Sequence, residues 1–115
     1  MYLKLKENKT FINPETGERH EKLTAGAVLI KTETRQKRTG ILLEFHETRE
    51  LMQNGKTPEF KKAFTIEDNV DEAKTDFTDM YVANPDLGMH GLNEEKLMYD
   101  FILKQPGFDI FEIVM

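Results

Sequence analysis

Apolar positions along this chain recur mostly at a spacing of two, and take up helical spacing only near its end. Leu3 and Leu5 alternate with Lys4 and Lys6, the pattern of a short half-buried strand. Phe11 and Ile12 open a further apolar contact. Asn13-Pro14-Glu15-Thr16-Gly17 is turn chemistry, since proline presets φ and glycine permits a positive φ. Residues 13–22 therefore read as an exposed charged loop, with His20 facing solvent. Residues 24–33 (TAGAVLIKTE) and 39–47 (TGILLEFHE) are rich in β-branched and aromatic residues and predict two strands. The polar stretch Thr34-Arg35-Gln36-Lys37-Arg38 joins them as a hairpin loop.

Asn54-Gly55 is the dipeptide that a two-residue type I′ turn prefers, and it predicts a third strand returning through residue 66. Such a turn sets Glu47 opposite Lys62, Phe45 opposite Phe64 and Leu43 opposite Ile66. Pro58, which lacks a donor, and Glu50 opposite Glu59 point to a frayed or exposed edge, and a short helical turn over residues 48–53 is the competing reading. Either way, residues 24–66 form a three-stranded antiparallel meander.

Residues 67–79 are acidic and weakly patterned, and read as a solvated connection. Phe77, Tyr81 and Val82 alternate only in part, as a short strand there would. Leu97, Met98, Phe101 and Ile102 then fall at helical spacing and make a core-facing stripe. Asn93 suits the N-cap of that helix, Glu94 and Glu95 its first turn, and Pro106-Gly107 its stop. In the final segment, Phe108, Ile110 and Val114 share one face of an extended chain, and Phe111, Ile113 and Met115 the other. A strand apolar on both faces is buried on both, inside its own sheet or against another chain. The expected fold is α+β: one domain over residues 1–115, with a mainly antiparallel sheet of about five strands and one helix near 94–105. A β-sandwich or small barrel with a packed helix is the alternative.

Composition narrows the chemistry. The chain has 115 residues, enough for one modest core, and its eight Phe support a folded globule. It has no Cys, Trp or Ser, which removes Ser and Cys nucleophiles, disulfides and thiolate zinc sites. No apolar run is long enough for a membrane-spanning helix, and Met1-Tyr2-Leu3-Lys4-Leu5-Lys6 lacks the apolar core of a secretory signal. A cytoplasmic or virion location, without secretion by a signal peptide and without a membrane partner, is expected. Residues 1–62 carry a balance of +4 and residues 63–115 one of −9, for the net charge of −5. The two halves either interleave in the fold, the plainer reading, or leave an electrically polar subunit suited to salt-sensitive docking.

Few side chains group into recognisable chemistry. His20, His46 and His90 are each alone in sequence, without the i, i+4 spacing of a helical metal pair. The acids from Asp68 to Asp79 lack the alternating pattern and turn glycine of a calcium loop. No dedicated metal site, cofactor or catalytic residue is assigned. Lys31, Arg35, Lys37 and Arg38 cluster at one hairpin tip, where a polyanion, a nucleic acid or an acidic protein surface would find charge. Phe108, Ile110, Phe111 and Ile113 are the residues with which the last strand would meet a partner. In the stretch NPDLGMHGLNEEKLMYDFI, only Asp86 and His90 are not absorbed by helix-start chemistry. The reading that fits best is a non-enzymatic assembly or protein-interaction subunit, associating with itself or with protein partners, of the kind found in phage virions and tails. Polyanion or nucleic-acid binding through residues 31–38 is the second reading. A small acid/base enzyme using His46 or His90 is the third.

Overall fold

The computed structural model describes residues 1–33, 35–82 and 91–115, with backbone only for 82 and 91–93. Eight strands are present among them: β1 (Tyr2–Leu5), β2 (Phe11–Ile12), β3 (Arg19–His20), β4 (Thr24–Glu33), β5 (Arg38–His46), β6 (Phe60–Asn69), β7 (Lys74–Thr75) and β8 (Phe111–Val114). Two α-helices accompany them, α1 (Arg49–Gln53) and α2 (Gly91–Leu103), with a π-helical turn over Thr78–Val82. Six strands form one open antiparallel sheet in the order β7-β6-β5-β4-β1-β8, and β2 pairs with β3 as a separate ribbon. The α+β expectation holds, with six strands in the sheet instead of about five. Because the sheet is open at both ends the barrel alternative falls away, and because the second sheet among the described residues is only the two-stranded β2–β3 ribbon, so does a sandwich of two full sheets.

The meander β4-β5-β6 spans the predicted stretch, but its second connection and its register differ from those expected. Thr48 caps α1, its hydroxyl accepting from the Leu51 N–H at 3.3 Å. Asn54 has φ −80°, so it cannot belong to a type I′ turn. Gly55, at φ +67°, ends the helix, with its N–H on the Met52 carbonyl and the Lys56 N–H on the Leu51 carbonyl. The residues consumed by α1 slide the pairing by four. Phe45 lies opposite Phe60, Leu43 opposite Lys62 and Ile41 opposite Phe64. A slip of four is even, so every side chain keeps its predicted face.

That face is the core. Thr39, Ile41, Leu43 and Phe45 of β5 are fully buried, and Ile41, Leu43 and Phe45 share one core cluster with Met98, Tyr99 and Ile102 of α2. Toward β2 the filling is aromatic: Phe45 stacks on Phe60 with centroids 4.3 Å apart, and Phe11 lies 5.6–6.0 Å from Phe45, Phe60, Phe108 and Phe111. On the opposite face α1 rests against β4, where Met52 Sδ would come within 3.2 Å of a Cβ at Gly26.

Other local expectations are corrected. Residues 13–22 are not a simple exposed loop: β3 folds back on β2 and buries His20 to 7 % exposure, because the ribbon lies over the aromatic cluster. Residues 67–79 are not all connection, since β6 runs to Asn69 and pairs with β7. Phe77 and Tyr81 belong to the approach and body of the π-helical turn instead of a strand; Phe77 is buried, with its ring tilted against that of Tyr81 at 4.7 Å. Helix α2 starts at Gly91, two residues before Asn93, so Asn93 lies in its first turn and not at its cap.

Candidate functional site

The basic tip lies at the connection between β4 and β5. Lys31, Arg35 and Lys37 are exposed and Arg38 is half-buried. The tip is not unopposed. Lys31 Nζ lies 3.9 Å from Glu33, and Arg38 sits opposite Glu33 on β4 and Glu67 on β6. The Asp68 N–H donates to the Lys37 carbonyl at 3.2 Å. Asp68 accepts from the hydroxyl of Thr78 and from its N–H at 2.9 Å. The Thr78 hydroxyl above all holds this carboxyl below its ordinary range, with Lys37 contributing and desolvation opposing. Three acids from both halves of the sequence therefore stand among the four cations.

The C-terminal segment is used inside the molecule. The Phe111 N–H donates to the Phe108 carbonyl, and this turn brings both rings to the same side, where both are buried. Ile110 and Ile113 are half-buried against the core. Residues Tyr2 to Leu5 pair with Val114 to Phe111, so β8 is an edge strand. Of the four residues expected to meet a partner, two are enclosed.

A different edge is left open. Strand β4 pairs with β1 only at Thr24 and Ala25, plus a Leu5 N–H to Leu23 carbonyl bond of 2.9 Å, and then runs on as a hairpin arm with β5. Extending the β1 register by two residues would set Met1 opposite Ala27. There the Tyr99 hydroxyl stands between the strands, accepting from the Ala27 N–H at 2.9 Å and donating to the Met1 carbonyl at 3.3 Å. Burial pushes the Tyr99 phenol above its ordinary pKa. Beyond Ala27 nothing pairs with the outer edge of β4 among the described residues. Val28, Leu29 and Ile30 are 47, 43 and 59 % exposed there. A bulge between Leu29 and Lys31 interrupts the ladder.

Two histidines are buried. His46, 5 % exposed, donates from Nε2 to the Lys56 carbonyl at 2.9 Å and leaves Nδ1 without a partner. His20 packs its ring on Phe60 at 5.4 Å, and its Nε2 has no hydrogen-bond partner. Glu18 and Glu59, both exposed, flank it, with one oxygen of each and a His20 nitrogen all within 4.8 Å of one another. Sequence reading misses this group because Glu59 comes from a remote segment. Its only local signal is Glu18-x-His20, a spacing that puts two side chains on one side of an extended chain. His90 and Asp86 lie outside the described residues.

No protein-family model, curated protein or solved structure matches this chain. Among the described residues, no helix is long and apolar enough to cross a membrane.

Proposed function

We propose that the chain is an interaction and assembly subunit, not an enzyme, and that it associates with a second copy of itself through the outer edge of β4. The observation that carries this reading is the exposed Val28-Leu29-Ile30 run on a strand edge that has lost its neighbour. Such an edge offers free backbone groups and apolar surface to an incoming strand. Residues 23, 25 and 27 of this segment face β1 or Tyr99, so alternation turns the Leu29 N–H and carbonyl outward on the same edge. An antiparallel match about a two-fold axis at Leu29 sets Leu29 on its own copy and Val28 on Ile30 of the other, an arrangement that is its own complement. The bulge at Ile30 confines the match to these few residues, which favours a reversible dimer over a growing sheet.

A place in a phage virion or tail rests only on the composition and the long hairpin. Polyanion binding at the basic tip is the weaker reading, since Glu33, Glu67 and Asp68 offset its charge. Amide hydrogen exchange tests the proposed edge. The Leu29 amide exchanges freely in dilute protein and becomes protected as concentration rises, whereas the Ala27 amide is protected throughout. Fast exchange at Leu29 at every concentration contradicts the reading.

A further inference from the structure

Glu18, His20 and Glu59 form a group that the interaction surface does not use. It is built rigidly at the backbone. The Glu18 carbonyl accepts from the Asn13 N–H at 2.9 Å, and the Glu18 N–H donates to the Thr16 hydroxyl at 3.2 Å. His20 is paired with Phe11 across the ribbon. The Glu59 N–H donates to the Phe45 carbonyl at 2.8 Å, which fixes this residue at the entry to β6. Only the two carboxylate side chains remain adjustable.

The imidazole is the unusual member. Phe60 and the ribbon leave it 7 % exposed, yet Nε2 makes no hydrogen bond, and the nearest carboxylate oxygen, from Glu18, is 3.8 Å away. That separation is too long for a hydrogen bond. A buried polar nitrogen without a partner carries a desolvation cost that some ligand normally offsets. In tetrahedral zinc, ligand bonds of about 2.0–2.2 Å put the donor atoms roughly 3.3–3.6 Å apart. The present spacing, 3.8 Å for one pair and within 4.8 Å overall, closes to this by small rotations of the exposed glutamates.

We infer that Glu18, His20 and Glu59 bind a divalent transition ion of the zinc class, with water completing its coordination. An imidazole nitrogen among the ligands selects such ions over calcium and magnesium, which take oxygen. The ion would tie the β2–β3 ribbon to the start of β6 and hold the ribbon over the aromatic cluster, a structural role.

Titration of the full chain with Zn2+ alone tests this, with Glu18→Gln and Glu59→Gln as variants that keep side-chain shape at exposed positions. One equivalent binds the wild type and raises its thermal midpoint, with the His20 ring signals shifting and those of His46 unmoved. Each variant binds at least about tenfold more weakly while keeping the wild-type circular dichroism. Three outcomes overturn the inference: no Zn2+ bound at submillimolar concentration, as a plain histidine–glutamate contact would give; variants that bind like the wild type; or Mg2+ bound as tightly as Zn2+.

Discussion

Tyr99 does at one atom what a longer β1 would do with a backbone pair. Its hydroxyl closes the gap between Ala27 and Met1, and its ring is 1 % exposed in the core. Tyr99→Phe keeps the packing and strands the Ala27 N–H, which costs about 1–3 kcal/mol in equilibrium unfolding. Asp68 gives a second, pH-linked test. Its folded pKa lies below the ordinary 3.8, so its contribution is present above the unfolded value and is lost as pH falls through the folded one. Thr78→Val, which removes the principal cause, should flatten part of the stability loss below pH 4 in acid titrations followed by circular dichroism, and leave the profile near pH 7 shallow as before. Neither residue stands out in the sequence. Tyr99 sits beside the predicted apolar stripe, not in it, and the partners of both residues are settled by chain reversals far away. His20 departs from expectation for the same reason: a charged neighbourhood in sequence becomes the lid of an aromatic cluster in space.

At the level of elements, periodicity reads well and punctuation reads poorly. The alternation in residues 39–45 gives the buried face of β5, and the stripe from Leu97 to Ile102 gives that of α2, because burial on one side imprints a period directly. Asn54-Gly55 misleads because the same glycine conformation serves a hairpin turn and a helix C-terminus. Here Thr48 supplies the cap that decides for the helix. The even slip in register leaves the face assignment intact. A methyl group at Gly55 would meet nothing within 4 Å, but the residue holds φ +67°. Gly55→Ala should therefore cost about 1 kcal/mol through backbone conformation alone, read as a lower denaturant midpoint with an unchanged slope.

Charges from the basic and acidic halves of the chain meet at several points of the molecule. Arg38 faces Glu67, Lys37 neighbours Asp68, and the N-terminal amine lies 3.8 Å from Glu95. The lysine ion pairs Lys31–Glu33, Lys61–Glu44, Lys74–Glu72 and Lys96–Asp100 each join residues of one half, and none of them marks a docking surface. What the fold leaves uncovered instead is a strand edge. The molecule measures 38 × 31 × 23 Å, with a radius of gyration of 14.8 Å against about 13 Å for a compact domain of similar length. The open edge is not legible in residues 24–33, since that run reads the same whether one neighbour ends early or continues. Only the shortness of β1 exposes it.

Sedimentation equilibrium of the wild type and of Leu29→Lys, over a concentration series at low and high salt, tests self-association most directly. The edge-pairing account predicts a reversible monomer–dimer equilibrium in the wild type, little changed by salt, and a monomer for Leu29→Lys with the same circular dichroism. A wild type that stays monomeric at the highest concentration, or a dimer that Leu29→Lys leaves intact, contradicts it.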